Sequence, residues 1–279
     1  MKTRIIIDST CDLMPDVKER CLAAPLTVHF GEEVYVDGVS ISHRQFYEKL
    51  IETDVLPHTS KATPAAFGGI FEGLSEDEEA VVITVSSKLS GTYQSACIAA
   101  ADYPGRIFVV DSTSAAIGAG ILAELALRLA DEGLGAWEIA SRLTGEREKI
   151  CVIALLDTLE YLKKGGRISR TVAFAGGVLN IKPVACIEDG EIRLLGKARG
   201  SKQGNNLLAT EVAKAGGVDF EKPVLLGYTG LSDALLLKYM EDSRHLWAES
   251  PAPLRYTCIG SVIGTHAGPG AVACAFFRK

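Results

Sequence analysis

Short apolar runs rich in β-branched residues alternate, along the first half of the chain, with longer stretches whose apolar positions recur at helical spacing. Arg4–Ile7, Ala80–Val85 and Arg106–Val110 have the length and composition of buried strands. Ser42 can cap a helix running through Phe46, Leu50 and Ile51, and Thr63 followed by Pro64 signals the start of another. Further helices are predicted over Leu89–Ala101, Ala115–Glu132 and Ala136–Glu148. Pro25–Phe30 and Glu33–Val36 form a short extended pair about Gly31, and Thr59–Pro64 reads as a polar loop. Strand–helix alternation predicts a parallel sheet covered on both faces.

The charged stretch Glu146–Lys149 separates this region from a second one, which gives a division at 1–148 and 149–279. Beyond it the pattern is less regular. Ile150–Leu155 is a strand, and Ile181–Ile187 and Glu191–Leu195 flank Asp189-Gly190, a hairpin turn signal. Helices over Lys202–Ala215 and Asp233–Glu241 alternate with strands over Pro223–Tyr228, Leu254–Ser261 and Ala271–Phe277. The fold class is therefore α/β, with a parallel N-terminal sheet and a mixed or antiparallel C-terminal one.

Three predicted strands run into polar turns: Asp8-Ser9-Thr10, Ser86–Tyr93 and Asp111-Ser112-Thr113. Ligands of open α/β sheets bind beyond the carboxyl ends of the strands, so these turns converge on one polar site. The Ser86–Tyr93 turn carries several hydroxyls and one glycine at a helix start, where free N–H groups attract an anion. Plain N-capping by one of those hydroxyls is the competing explanation.

Composition narrows the function. A net charge of −6 without a dense basic block argues against affinity for nucleic acid or an anionic membrane surface. No apolar run approaches the roughly 20 residues of a membrane helix, and Met1–Arg4 leads straight into a strand without a signal-peptide pattern, which together imply a cytoplasmic protein. The seven cysteines are scattered with no C-x-x-C pair, as expected of reduced thiols such as Cys97, Cys186 and Cys274 in apolar stretches.

Other polar constellations stand out. Tyr161–Ser169 places cations and paired glycines at a helix end. A glycine stop explains part of this, and Arg167 remains a candidate for an anionic group. His266 lies among Gly264, Gly268 and Gly270, where an open loop would leave its ring accessible. Thr171–Leu179 is either a buried helix or the wall of an apolar cavity. Asp8, Asp12 and Asp111 could hold magnesium and equally serve as turn residues. Phosphate-loop, dinucleotide, nucleophile-elbow and zinc-protease signatures are missing from the sequence.

In chain order these pieces resemble the DegV family of fatty-acid-binding proteins. Asp8-Ser9-Thr10-Cys11-Asp12-Leu13 is similar to the family's D-S-x-x-D-L opening, and Thr59-Ser60 to its T-S-Q-P-S loop. Pro25–Val28 with Tyr35–Gly38, Ser86–Tyr93, Val110–Ser112, Tyr161–Ile168, Ile181–Val184 and Gly264–Gly270 fill in the rest. The resemblance implies two α/β domains enclosing one long-chain fatty acid, its acyl chain buried and its carboxylate held near the surface. By the same carry-over, Thr59 and Ser90 bond the carboxylate, the Gly91 N–H adds a donor, His266 joins the network, and Arg167 sits near the opening and docks a partner. That partner is a fatty acid kinase catalytic subunit, which phosphorylates the bound acid to an acyl-phosphate for phospholipid synthesis. The chain itself is then a carrier, with no cofactor or metal of its own. Lys61-Ala62 departs from the family loop: it removes the proline and adds a charge beside Thr59. Two alternatives are a stand-alone acyl- or phosphoryl-transfer enzyme using Asp8, Asp111 and His266 with a metal, and a regulatory module for another apolar anion.

Overall fold

The computed structural model describes residues 1–168 and 180–279. The first part runs β1 (Lys2–Asp8), α1 (Pro15–Lys18), β2 (Leu22–Ala24), β3 (Thr27–Phe30), β4 (Glu33–Val36), α2 (His43–Glu52), β5 (His58–Ser60), α3 (Pro64–Glu72), β6 (Glu78–Thr84), α4 (Thr92–Ala100), β7 (Ile107–Asp111), α5 (Ile117–Asp131) and α6 (Ala136–Glu146). After a tight turn over Arg147–Lys149 come β8 (Ile150–Leu155), α7 (Glu160–Lys164), β9 (Ile181–Glu188), β10 (Glu191–Arg199), α8 (Gly200–Lys214), β11 (Leu225–Tyr228), α9 (Ala234–Asp242), β12 (Tyr256–Cys258), α10 (Ser261–Ala267) and β13 (Val272–Phe277).

Among the described residues three sheets form. The first is parallel, in the order β2-β1-β6-β7, as the strand–helix alternation predicts. The second is mixed, in the order β10-β9-β8-β13-β11-β12. Its β9–β10 hairpin turns at Asp189-Gly190, both with positive φ, as that dipeptide favours. The third is a small antiparallel sheet, β4-β3-β5. Its β5 corrects the reading of Thr59-Ser60 as a loop: Ser60 and Thr59 pair with Thr27 and Val28, and the Ser60 hydroxyl lies 3.1 Å from His29 Nε2. So short and polar a strand has no period to read and exists through its partner.

Helix boundaries follow local chemistry. Ser42 and Gln45 form the capping box of α2, and the Thr63 hydroxyl accepts from Ala66 N ahead of α3. Helix α4 starts at Thr92 and not at Leu89, because the N–H groups of Leu89 and Ser90 both turn back to the Ser86 carbonyl. The expected strand over Leu254–Ser261 is cut to Tyr256–Cys258, since Ser261 opens α10.

Helix α5 organises the core. Its apolar residues pack in one cluster with Ile5, Ile7, Val81 and Ile83 of the parallel sheet and with Val152, Leu225, Ala273, Ala275 and Phe277 of the mixed sheet. A helix of about 10 Å diameter is thus buried between two sheets, and the regions on either side of residue 148 share this core. No helix among the described residues is long and apolar enough to cross a membrane.

A second tie is polar. Asp12, in the turn after β1, accepts from Gly260 N at 2.8 Å, immediately before α10, while its other carboxylate oxygen is buried without a partner. Burial pushes this carboxyl up to about 7 from an ordinary 3.8, although Lys18 pulls the other way. The folded protein therefore binds a proton here that the unfolded chain releases between those values, so stability falls as pH rises through about 7. Asp12→Asn keeps the acceptor and cannot ionise. Urea denaturation of this variant should show a smaller loss of stability between pH 5 and pH 8 than the parent protein, and an equal loss in both would remove Asp12 as the cause.

Candidate functional site

A cavity of about 320 Å³ opens where α5 begins, beyond the carboxyl ends of the parallel strands. That is roughly twice the ~150 Å³ of an apolar cavity known to stay dry and take up benzene. Thr10, Val85 and Ala115-Ala116 line it from the turns after β1, β6 and β7. Val152, Ala154 and Ala273 face it from the mixed sheet, with Cys186 and Ile187 from β9 and Val262 and Ile263 from α10. The small side chains leave the space between the sheets open just where the helix no longer fills it.

The five residues to which the family resemblance assigns a role all line the cavity: Thr59, Ser90, Gly91, Arg167 and His266, with Thr10, Lys61 and Thr229 as its other polar residues. Thr59 Oγ1 and His266 Nε2 lie 2.9 Å apart, which ties β5 to α10. Ser90 Oγ and Thr92 Oγ1 lie 2.9 Å apart in the turn before α4. Arg167 donates through Nε to Leu89 O at 3.2 Å and through Nη1 to Gly165 O at 2.6 Å. Its guanidinium is drawn below its usual pKa by burial, yet remains charged. Ser86, by contrast, is not at the mouth: its buried hydroxyl donates to Gly190 O and fastens the turn to the β9–β10 hairpin.

His266 requires a correction. It sits in the last turn of α10 and not in an open loop, and its ring is packed rather than accessible. The helix ends at Gly268, whose φ of +72° and close approach to the Tyr161 ring admit no side chain. Burial, with the Arg167 charge adding to it, pulls the imidazole down to about 4, so the ring is neutral near pH 7. Nδ1 is buried and unpartnered. A proton there would be a buried donor with no acceptor, so the network assigns it to Nε2, facing Thr59 Oγ1. The Thr59 hydroxyl is then free to donate to an anion at the mouth.

The acidic alternative is assembled differently. Asp8 accepts from Thr10 N, from Thr10 Oγ1 and from Val85 N, and burial raises its pKa. Asp111 accepts from Ser87 N and Thr113 N. Both carboxylates hold turns and neither lines the cavity. Among the described residues no group of three or more His, Cys, Asp or Glu side chains is placed to share a metal ion. Thr171–Leu179, read as a helix or cavity wall, lies outside the described residues.

Comparison with known proteins gives this geometry its context. The model of the family described as "Uncharacterised protein, DegV family" matches residues 2–279. The chain belongs to the DegV family. A DegV domain-containing protein of Caldanaerobacter subterraneus is 36% identical, with 100% of this chain and 99% of that protein covered. A Thermus thermophilus DegV family protein, whose structure is described as showing fatty acid binding, superposes with a TM-score of 0.88 at 30% identity over 100% of both chains. The Streptococcus pneumoniae Fatty Acid Kinase (Fak) B3 protein, solved loaded with linoleic acid, gives 0.87 at 27% identity over 100% of both. The DegV resemblance read from the motifs therefore holds along the whole chain, and the fold matches at the level of both large sheets.

Two further residues shape the cavity: Lys61, which the sequence marks as a charge added beside Thr59, and Gly165, whose role beside His266 no local signal gives away. Lys61 lines the cavity with Thr59, two positions away on the same side of an extended segment. Gly165 backs the His266 ring: a Cβ placed there would lie 2.2 Å from Nδ1. Gly165→Ala must displace the imidazole and break its contact with Thr59, at a cost of roughly 1–3 kcal/mol. By NMR the His266 ring should titrate near 4 in the parent protein and higher in the variant, because displacement relieves the burial that depresses it. An unaltered titration with unaltered stability would show that the ring is not held by Gly165.

Proposed function

We propose that the cavity holds a long-chain fatty acid, its tail between the two large sheets and its carboxylate at the polar mouth. The single observation that carries this reading is an apolar cavity whose lining also holds anion donors from β5, the turn before α4 and α10. Thr59 and Ser90 offer hydroxyls, Gly91 a backbone N–H, and His266 supports Thr59 from behind. Each buried methylene contributes about 0.8 kcal/mol, so a chain of roughly 16 carbons supplies on the order of 10 kcal/mol before entropy losses. A carboxylate drawn inside without partners would cost several kcal/mol, which is why an otherwise apolar cavity needs the donors that line it. The bound fatty acids described for the Thermus thermophilus and Streptococcus pneumoniae relatives support the same assignment.

The second half of the proposal concerns what happens to the ligand. The carboxylate lies at the mouth and the chain lacks phosphate-binding signatures, so a separate ATP-dependent fatty acid kinase subunit would convert the acid to an acyl-phosphate, for use in phospholipid synthesis. Arg167, at the mouth beside Leu89, would help dock that subunit. In this reading the chain is a cytoplasmic carrier whose only small molecule is the lipid. The family membership and the description of one relative as a Fatty Acid Kinase B3 protein support it.

Solvent extraction of the purified protein followed by mass spectrometry should recover a fatty acid. Thr59→Ala combined with Ser90→Ala should lower fatty-acid affinity at least tenfold, since each hydroxyl bond to a carboxylate is worth about 1.5–3 kcal/mol, without unfolding the protein. Equal titration curves for the parent and double variant would remove the carboxylate role from both. Acyl-phosphate formed only when a kinase subunit and ATP are added tests the partner.

A further inference from the structure

We propose that Lys61 is a charge-selective contact for the ligand head, and that it favours a dianionic phosphate head over a carboxylate. The inference rests on the fatty-acid reading of the cavity and adds to it a residue that distinguishes substrate from product.

Three observations carry it. First, β5 ends at Ser60, and side chains along extended backbone alternate between faces. Ser60 turns to His29 on one side. Thr59 and Lys61 share the other side, and both line the cavity. Second, the Lys61 stem lies across Gly91: a Cβ there would be 3.1 Å from Lys61 Cδ and 3.4 Å from Nζ. The ammonium thus stands over the start of α4, beside Ser90 and the Gly91 N–H, where backbone N–H groups already favour an anion. Third, Lys61 Nζ has no hydrogen bond or ion pair among the described residues. Arg167, the other cation lining the mouth, has its Nε and Nη1 on the Leu89 and Gly165 carbonyls.

These facts separate two kinds of donor. Thr59, Ser90 and Gly91 N–H are neutral, set in the rim, and suited to carboxylate oxygens of the entering acid. Lys61 is an exposed ammonium on a flexible stem, able to follow a head that grows outward by one phosphoryl group. A second negative charge gains more from a nearby cation than from neutral donors, and that gain is screened by salt because the ammonium is exposed.

The test titrates delipidated protein with palmitate, hexadecyl phosphate (a non-hydrolysable stand-in for an acyl-phosphate) and hexadecanol, at about 20 mM and 500 mM salt. Lys61→Gln should weaken palmitate roughly threefold and hexadecyl phosphate roughly tenfold at low salt, leave hexadecanol unchanged, and lose most of these effects at high salt. Lys61→Arg should restore the phosphate preference. Equal affinities of the parent and Lys61→Gln for both anions at low salt would overturn the proposal, as would an equal loss for hexadecanol, which would make Lys61 a packing residue. If the parent protein takes hexadecyl phosphate through Lys61 but not palmitate, the head-group assignment stands and the fatty-acid reading falls. If it takes neither anion, both fall.

Discussion

The burial of α5 between two sheets is the constraint on which this molecule depends. A helix sets the spacing of the layers that cover it, and here both layers are sheets. Their separation persists past the helix's first residue, Ile117, but nothing of equal girth continues beyond it. Ala115 and Ala116 lead into the helix, and Ala154 and Ala273 face them across the gap. Close packing is the rule in protein interiors, so a void of this size at the end of a well-packed helix is a structural statement. The site is the part of the interlayer space that α5 does not reach.

Apolar walls and polar donors have opposite requirements, and the chain meets both by drawing on distant segments. The donors come from β5, the turn before α4, the segment after α7 and the last turn of α10, whereas the walls come from β8, β9, β10 and β13 together with α7, α10 and the turns that flank the strands. The Thr59–His266 hydrogen bond is one point where the small sheet meets the C-terminal part, beside the packing of Val28 and Phe30 in one cluster with Val262. Its value depends on His266 remaining uncharged. A charged imidazole beside the Arg167 guanidinium would add repulsion to the loss of hydration, and burial keeps the ring neutral over the range in which a fatty acid is ionised.

Local signals were the legible ones. Ser42 with Gln45, Thr63 with Pro64, and Asp189-Gly190 act within a few residues, and each produced the expected cap or turn. The clustering of the polar turns was also legible, because parallel strands must end on one side. What stayed hidden depends on tertiary partners. The polar strand His58–Ser60 exists through β3, and Lys61 acquires its direction only once that register is set. The glycines around His266 suggested a loop, yet Ser261–Ala267 is helical, and Gly264 is there because a side chain would strike the Tyr47 hydroxyl. Glycine lowers helix propensity, and close approach to a neighbouring helix outweighs it here.

The apolar walls between the sheets also bear on traffic, should the cavity hold a lipid as proposed. Aliphatic walls without a guest forgo dispersion contacts on every side and attract no water to replace them. On the proposed reading, a departing tail would expose itself to solvent as it gives up its contacts with these walls, two penalties that add. On that reading exchange by free diffusion would be slow, and a receiving partner would engage the lipid before it cleared the mouth.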